Sequence, residues 1–263
     1  MDNKALGFDY EGLGSAINVR RSRRKYTGTP IAGDTAIELQ RIVDQYSESA
    51  NVRFELALND SATFNMFTKS YGMFSGVNDY IAAIVKKGDE TAKERVGYFG
   101  QLIVLHATSL GLGTCWVGIS SNASAMPFSL ADNEELACTI LVGNVDRENS
   151  PKEKFVRSLT HRKTKRLEEM YRLVPESDVL AIDVLALPDW FNQGMLAVQR
   201  APSAKHRQPV MFGYSASGIV IASVPNYDGL FEAFDLGIAK VHFQIGVGGG
   251  SWNWGNDGIF TRE

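Results

Sequence analysis

Two short stretches of the sequence carry residue types that could hold a phosphate or a similar anion. The first, RRSRRKY (residues 20–26), contains four arginines, a serine and a lysine. An exposed run of like charges repels itself, and a bound phosphate would relieve that repulsion while accepting hydrogen bonds from guanidinium and hydroxyl groups. The second, APSAKHRQP (residues 201–209), is stiffened by prolines and offers the donors Ser203, His206, Arg207 and Gln208. Alone, the first also fits a solvated basic turn, and the second an ordinary helix-to-strand connection.

A third stretch, GLGTCWVG (residues 111–118), has glycines that would let a ligand approach backbone N–H groups. It is not the dinucleotide-binding fingerprint, because the predicted order is helix, glycines, strand rather than strand, glycines, helix. We interpret Cys115, Trp116 and His106 as core residues rather than as a nucleophile, a stacking platform and a base. With no evident Ser-His-Asp or Cys-His arrangement, a phosphate cradle suggests chemistry supplied by a bound cofactor.

The bulk composition points away from several other functions. The chain has 263 residues, is 44% hydrophobic and carries a formal net charge of −3, so it offers no overall attraction to nucleic acid or anionic lipid. Arginines without interleaved aromatic residues also argue against a nucleic-acid site. Neither the two cysteines nor the four histidines have the spacing of a metal site. No signal-peptide pattern or membrane-length apolar run is present, which predicts a cytoplasmic protein.

Hydrophobic periodicity predicts alternating helices and strands in the first part of the chain. Thr35 and Glu38 form a capping-box pattern at the start of a helix that continues to about Tyr46, with Ile37, Ile42 and Val43 as its apolar stripe. Strands are predicted at 52–60, 79–87, 111–118 and 137–145. A long helix over about 90–110 has an apolar face formed by Val96, Phe99, Ile103, His106 and Leu110. Residues 150–173 are charged and predicted to be helical or extended on the surface.

The remainder of the sequence repeats this order. A helix at 186–199 is followed by strands at 209–215 and 218–224 and by a helix over about 229–245, whose apolar stripe is Leu230, Phe234, Ile238, Val241 and Ile245. Residues 98–118 also match 235–255 without a gap. The identical pairs are Gly100 with Gly237, Val104 with Val241, Gly111 with Gly248, Gly113 with Gly250, and Gly118 with Gly255. The repeat predicts a duplicated architecture.

Together the three stretches resemble the nitroreductase family of FMN-dependent oxidoreductases. RRSRRKY is similar to that family's Arg-x-Ser-x-Arg/Lys-x-aromatic signature, and LGLGTCWVG to its glycine-rich passage beside the flavin ring. APSAKHRQPVMF (residues 201–212) is similar to its Pro-Ser-x-x-Asn-x-Gln-Pro-x-x-Phe loop. The resemblance implies an α+β fold with a mixed, mainly antiparallel sheet flanked by helices. Within the family, the chain resembles the subgroup of nitroreductases in which one chain contains two tandem family-like halves. These halves would here be residues 1–175 and 176–263.

The resemblance also implies how the halves share a site. Family members are usually homodimers with FMN at the subunit interface, where one subunit supplies the arginine segment and the other the Pro-Ser loop. In this chain the first half reads SESANVRFEL (residues 47–56) where its loop should be, and the second half lacks the arginine signature. We therefore expect an internal pseudo-dimer that is a monomer in solution and binds one FMN.

Family positions carried over to this sequence give a set of expected cofactor contacts. Side chains of the arginine segment would hold the phosphate and ribityl chain, the Pro-Ser loop would approach the isoalloxazine ring, and backbone N–H groups would lie near the ring's N5 atom. His206 stands where the family loop usually has Asn. A late basic pair would come from Arg162, Lys163, Lys165 and Arg166, and Lys69 or Asn65 could serve the N1/O2 edge. The full expected set is Arg20, Arg21, Ser22, Arg24, Gly118, Ile119, Pro202, Ser203, Ala204, His206, Gln208, Lys163 and Arg166.

The activity that the resemblance implies is electron transfer through FMN. NADH or NADPH would donate a hydride, and a nitroaromatic, a quinone or a similar flat, electron-poor molecule would accept electrons in a ping-pong sequence. No side chain is assigned as catalytic, because the chemistry would take place at the flavin. The altered loop and the loss of one site also permit an alternative, a flavin-binding or sensing protein with little turnover.

Overall fold

A computed structural model of the protein describes residues 9–60, 74–118, 126–146, 163–174, 187–227, 229 and 231–262. The first elements are α1 (Tyr10–Val19), α2 (Gly33–Ala50), β1 (Arg53–Ala57), β2 (Asp79–Lys86), α3 (Ala92–Ser109), β3 (Gly113–Val117) and β4 (Glu134–Gly143). They are followed by β5 (Tyr171–Val174), α4 (Asp189–Gln199), β6 (Met211–Ser215), β7 (Val220–Ser223), α5 (Phe231–Val247), β8 (Ser251–Trp252) and β9 (Gly258–Thr261). Short 3₁₀ turns occur at Leu167–Glu169 and Ala204–His206. Every helix in these ranges is too short or too polar to cross a membrane.

The chain divides into two compact units, and the division cuts through helix α3. Unit A consists of Val19–Ala92 and Phe99–His161, and unit B of Met1–Asn18, Lys93–Tyr98 and Arg162–Glu263. The domain boundary predicted after residue 175 was placed from the sequence repeat and differs from the division into units A and B. The two tandem halves stay a prediction.

Unit A is built on a four-stranded sheet in the order β1-β2-β4-β3, in which all neighbours are antiparallel. Strand β2 has partners on both sides, and seven of its eight residues are buried. This explains why its sequence, DYIAAIVK, is nearly continuously apolar instead of alternating. The core of the unit includes Tyr80, Ile84 and Leu141, each at most 1% exposed.

Unit B contains a five-stranded sheet in the order β5-β6-β7-β9-β8. Strand β5 is parallel to β6, and the other neighbours are antiparallel. Its core is aromatic and centres on Phe243 of α5, whose ring centroid lies 5.1 Å from Phe212, 5.2 Å from Phe260 and 5.6 Å from Phe191. Aromatic rings at such separations contribute more than their buried area alone.

The two sheets share a topology once β5 is set aside. The element order α2-β1-β2-α3-β3-β4 has the same form as α4-β6-β7-α5-β8-β9. The strand order β1-β2-β4-β3 likewise has the same form as β6-β7-β9-β8, and every pair is antiparallel in both. The repeated helix–strand–strand–helix–strand order predicted from the sequence is therefore present.

Most predicted elements are confirmed within a few residues, but some details were wrong. Helix α2 begins at Gly33 and its N-cap, Ala32, makes no side-chain cap, so the Thr35–Glu38 capping box does not form. Glu38 instead pairs with Arg41 one turn later. Ile37 is 71% exposed, and the buried stripe of the helix is Leu39, Ile42, Val43, Tyr46 and Ala50.

The C-terminal strands and the charged stretch were also incompletely predicted. Strands β5, β8 and β9 are only two to four residues long and have too few positions to show a periodicity. In the stretch 150–173, residues 150–162 lie outside the described residues, and the rest contains a 3₁₀ turn and β5. Leu230 of the predicted α5 stripe also lies outside the described residues.

Two glycines of unit B bring α5 close to the first turns of α3. A Cβ atom at Gly97 would collide with the backbone of Phe234, and one at Gly237 would collide with the carbonyl of Glu94. Only glycine lets the helix backbones approach this closely. The close approach places Glu94 beside Lys240 of α5.

Lys240 and Glu94 form a fully buried ion pair with 0% exposure of either residue. Lys240 Nζ lies 2.5 Å from Glu94 Oε1 and donates to the carbonyls of Asn253 and Gly255 at 2.9 Å. Glu94 Oε2 accepts the Gly255 N–H at 2.6 Å. Burial lowers the pKa of Lys240, and the Glu94 carboxylate opposes that shift. The pair therefore fixes the turn between β8 and β9 through charged groups whose hydrogen-bonding capacity is met.

We expect Lys240→Met to destabilise the protein by about 3–5 kcal/mol, because it leaves the Glu94 carboxylate buried without its counter-charge. Adding Glu94→Gln should recover part of the loss, since it removes that charge. The measurement is urea unfolding followed by tryptophan fluorescence. Arg41→Met, which breaks the exposed pair with Glu38, serves as the control and should change stability far less. Equal effects of the two substitutions would contradict the assigned role of the buried pair.

Candidate functional site

The arginine segment, residues 20–26, follows α1 directly and lies along strand β3 of unit A. Ser22 forms a parallel bridge with Thr114, and the Arg23 N–H donates to the Thr114 carbonyl at 2.8 Å. Further along, Ser75 donates to the Arg24 carbonyl at 3.0 Å and accepts from the Tyr26 N–H at 2.9 Å. The structure therefore brings the first and third predicted ligand stretches together, because the arginine segment is held by backbone bonds to the strand of GLGTCWVG.

Arg20 is the electrostatically unusual member of this segment. Its Nε atom is buried and has no hydrogen-bond partner within the described ranges. Desolvation lowers the pKa of Arg20 to about 10, an effect that Cys115 opposes and Arg21 adds to. The side chain still carries its charge at neutral pH, so it has an incompletely satisfied positive charge. A bound anion would supply the missing acceptor.

The other members of the segment divide by exposure. Ser22 and Lys25 are exposed, Arg24 is partly buried, and Arg21 is exposed with a hydrogen bond to the Arg20 carbonyl. Arg23, which was not predicted as a site residue, is 9% exposed and donates to the Asp146 carbonyl at 3.0 Å. It anchors the segment, so the arginines of this stretch differ in their surroundings: Arg23 is buried against a backbone carbonyl and Arg21 is exposed.

The Pro-Ser loop, residues 202–208, lies in unit B and is held by side-chain hydrogen bonds. Ser203 Oγ accepts the Gln208 N–H at 2.9 Å. The Gln208 side chain, in a residue 4% exposed, accepts from the Lys165 N–H at 2.9 Å and donates to the Gln199 carbonyl at 3.1 Å. His206 Nε2 lies 3.2 Å from Thr164 Oγ1. Gln208 thus ties the loop to the segment that precedes β5.

The loop backbone is strained. Lys205, His206 and Gln208 all adopt positive φ angles, of 53°, 50° and 46°. Non-glycine residues in this region cost roughly 1–3 kcal/mol each and persist only where surrounding contacts hold them. The Ser203 and Gln208 hydrogen bonds are part of that support.

Among the late basic residues, Lys165 contacts the Pro-Ser loop directly. Its Nζ donates to the Gln208 carbonyl at 2.8 Å. Lys163 is exposed, and Arg166 is exposed and paired with Glu169 at 3.6 Å. The cofactor roles predicted for Lys163 and Arg166 stay predictions, and Arg162 lies outside the described residues.

Several other predicted positions have definite surroundings or fall outside the described ranges. Gly118 is exposed at the end of β3, whereas Ile119, Lys69 and Asn65 lie outside the described residues. The residues interpreted as core have structural contacts: Cys115 is 6% exposed, Trp116 Nε1 donates to Gln101 at 3.0 Å, and His106 Nε2 lies 2.9 Å from the Tyr46 hydroxyl.

The sequence reasoning missed Asp235, a buried acid next to the Pro-Ser loop. Asp235 lies on α5, is 4% exposed, and accepts the Ala204 N–H at 2.9 Å. Burial raises the pKa of Asp235 to about 7. The available signal was an acidic residue within FDLGIAKVHF, an otherwise largely apolar helix, because charged residues are rarely buried without a specific partner or role.

The described residues fit an anionic cofactor better than a metal. No group of three His, Cys, Asp or Glu side chains in the described ranges is placed to hold a metal ion. The buried Nε of Arg20, in contrast, lacks an acceptor of the kind that a phosphate oxygen provides. The arginine segment therefore has the donors to hold an anion such as a phosphate group.

Comparison with known proteins identifies a matching family and a solved structure with a similar fold. The sequence pattern of a family described as putative TM nitroreductase matches residues 13–247. The crystal structure of a putative nitroreductase from Thermotoga maritima has 18% sequence identity and a TM-score of 0.60, covering 94% of this chain and 91% of that one. No curated protein matches the chain.

Two shorter solved structures are also similar over part of the chain. An FMN-dependent nitroreductase from Clostridium difficile has 16% identity and a TM-score of 0.42, covering 57% of this chain and 98% of that one. A nitroreductase with bound FMN from Desulfitobacterium hafniense has 17% identity and a TM-score of 0.40, covering 53% and 92%.

The likeness to the Thermotoga structure shows a nitroreductase-like α+β fold, with antiparallel and mixed sheets flanked by helices. This confirms the α+β, nitroreductase-like class expected from the sequence, whereas the internal pseudo-dimer stays a prediction. Because the family pattern also extends over most of the chain, the protein belongs to the putative TM nitroreductase family of enzymes.

Proposed function

We propose that this protein is an FMN-dependent oxidoreductase that takes electrons from NADH or NADPH and passes them to a nitroaromatic, a quinone or a similar electron-poor acceptor. The observation that carries the proposal is the buried Arg20 Nε without an acceptor, on a segment fixed to strand β3. Family membership supplies the redox class, and Arg20 supplies a place for the cofactor's phosphate.

In this proposal the arginine segment binds the phosphate end of FMN. Arg20 donates to phosphate oxygens, and Ser22 and Arg24 add donors from the same extended segment. Arg23 acts indirectly, because its bond to the Asp146 carbonyl keeps the segment in place. Bound FMN would supply hydride transfer, and the protein would hold the cofactor in one orientation relative to the electron donor and the acceptor.

The Pro-Ser loop is proposed to contribute the ring-side contacts expected from the sequence resemblance. Pro202, Ser203, Ala204 and His206 would approach the isoalloxazine ring, and Gly118 and Ile119 would offer backbone N–H groups near N5. The support is the loop's conformation, in which strained residues are held by several hydrogen bonds, as is common at ligand sites. Gln208 is proposed to act by holding this loop, since its polar atoms are used within the protein.

We further propose that the two predicted halves, residues 1–175 and 176–263, arose by duplication and that only one FMN site remains per chain. The shared strand order supports duplication. In the gapless sequence match, Gly255 corresponds to Gly118, whose N–H is expected near N5. The Gly255 N–H donates to Glu94 Oε2 at 2.6 Å, so it is already used within the chain. The buried Lys240–Glu94 pair would thus have replaced a second cofactor contact.

The purified protein is expected to retain one FMN per chain, detected by visible absorption after FMN addition and dialysis. Arg20→Ala should weaken FMN binding roughly 10- to 150-fold, the loss of a charged hydrogen bond worth about 1.5–3 kcal/mol. Arg20→Lys should retain part of the affinity, because it keeps a charge. Arg41→Ala, on the exposed face of α2, is the control and should bind FMN normally. Two equivalents would contradict the single site, and no binding would contradict the proposal.

Steady-state assays separate an enzyme from a flavin-binding protein. We expect FMN-loaded protein to oxidise NADH or NADPH with a simple quinone as acceptor, and the double-reciprocal lines at several quinone concentrations to be parallel, as in a ping-pong sequence. Ser203→Ala should lower turnover, since it removes the hydroxyl that holds the loop at Gln208. Stoichiometric FMN without turnover above that of free FMN would favour the flavin-binding alternative.

The internal pseudo-dimer is proposed to make a partner subunit unnecessary. Light scattering coupled to size-exclusion chromatography should then give a mass close to the chain mass of 28.9 kDa, with and without FMN. A stable dimer whose dissociation releases FMN would contradict this part of the proposal.

A further inference from the structure

Asp235 has one carboxylate oxygen with no hydrogen-bond partner. Oδ1 accepts the Ala204 N–H at 2.9 Å, whereas Oδ2 is buried and unpartnered within the described ranges. A buried carboxylate oxygen without a donor is costly when the group is ionised. The same oxygen carrying a proton is a hydrogen-bond donor and no longer a buried charge. The surroundings of Asp235 therefore determine whether its buried carboxyl is protonated or ionised.

Asp235 lines a small cavity of unit B. Pro202, Ser203 and Gln208 of the loop line the same cavity, together with apolar residues such as Met170 and Val198. Since Oδ1 is engaged by Ala204, Oδ2 is the oxygen left for this space. A protonated Oδ2 could donate there to a water molecule or to an acceptor atom of a ligand held by the loop.

Burial, and not the charges around Asp235, favours its protonated form. The groups that face it are Arg207 from the loop and Glu232 from its own helix, and the rest of the cavity lining is uncharged. Arg207 already pairs with Glu232 at 3.0 Å. Arg207 and the Ala204 N–H still favour the ionised form of Asp235, whereas Glu232 and, above all, burial oppose it. Burial accordingly raises the pKa of Asp235 to about 7.

Weakening the contact between Asp235 and the loop favours loop opening, because the closed loop is strained. Lys205, His206 and Gln208 hold strained, positive-φ conformations that relax once the loop is released. Asp235 is the residue of α5 that bonds to the loop backbone, at Ala204. Released to solvent, its carboxyl would regain an ordinary affinity for protons.

We propose that Asp235 is a positioning residue that holds the Pro-Ser loop closed while it is protonated and favours loop opening when it ionises. Asp235 binds its proton more tightly when the loop is closed than when it is open. Closure is therefore most favourable at low pH and weakens as pH rises to about 7, above which both states are ionised. The consequence for FMN rests on the proposed function, in which this loop contacts the cofactor.

Tryptic cleavage after Lys205 and Arg207 in the FMN-free protein reports loop opening. Asp235→Asn keeps an acceptor for Ala204 and a donor for the cavity but cannot ionise. We expect the wild-type cleavage rate, divided by that of Asp235→Asn at the same pH, to rise up to about tenfold between pH 6 and 8. The ratio cancels the pH dependence of trypsin itself. A ratio that stays constant over this range would overturn the proposal.

Ser203→Ala is the matched variant for loop support without a titrating group. It removes the bond to the Gln208 N–H, so cleavage should increase at every pH while its pH dependence stays as in the wild type. If Ser203→Ala instead abolished the pH dependence, the titration could not be assigned to Asp235 and the proposal would fail.

FMN titration by fluorescence quenching tests the functional consequence separately. FMN affinity of the wild type, relative to Asp235→Asn, should fall up to about tenfold from pH 6 to 8. If the cleavage ratio changes with pH but the relative FMN affinity stays constant, the proposed link between the loop and the cofactor is wrong. Failure of both proteins to bind FMN would refute the proposed function, and the cleavage ratio would still decide the role of Asp235.

Discussion

Burying an ionisable side chain costs several kcal/mol unless its charge and hydrogen bonds are compensated, and this constraint shapes unit B. Lys240 and Glu94 meet it in full: two charges, two carbonyls and one backbone N–H satisfy each other with no exposure to solvent. The arrangement is possible because Gly97 and Gly237 let two helix backbones approach closely. The turn between β8 and β9 is in turn held by this pair, so helix packing and loop geometry depend on the same buried charges.

The same constraint is only partly met at several buried atoms of the described residues, two of which bear on the candidate site. Arg20 in unit A has a buried nitrogen without an acceptor, and Asp235 in unit B has a buried oxygen without a donor. An unsatisfied buried group costs about 1–3 kcal/mol. Both groups belong to, or directly support, segments that resemble ligand-binding motifs. Incomplete satisfaction of these groups is therefore consistent with ligand binding.

The proposed duplication and functional divergence rest on the comparison of the two sheets. Two sheets with the same strand order have different loops: one unit has the arginine segment, the other the Pro-Ser loop. Position 240, where unit B has a buried lysine, corresponds in the sequence match to Ile103, which is also fully buried. A charged residue at such a position needs a built partner, and Glu94 provides it. In the proposed history, one copy of the cofactor site was exchanged for an ion pair that stabilises the fold.

The sequence alone determined the long helices and the central strands, because continuous apolar runs and helical stripes are local patterns that burial imposes directly. The α+β fold class was expected from the resemblance of three stretches to the nitroreductase family. The sequence also identified the arginine segment and the Pro-Ser loop, whose residue types carry their chemistry with them. It could not distinguish Arg23, an anchor, from Arg20, whose buried Nε lacks an acceptor, because that difference depends on whether the packed chain places a backbone carbonyl beside the side chain. Glu94 and Lys240 are 146 positions apart, and Ala204 and Asp235 are 31 apart. Only the tertiary structure decided these pairings, since burial and partner geometry are properties of the packed chain and leave no periodic signal in the sequence.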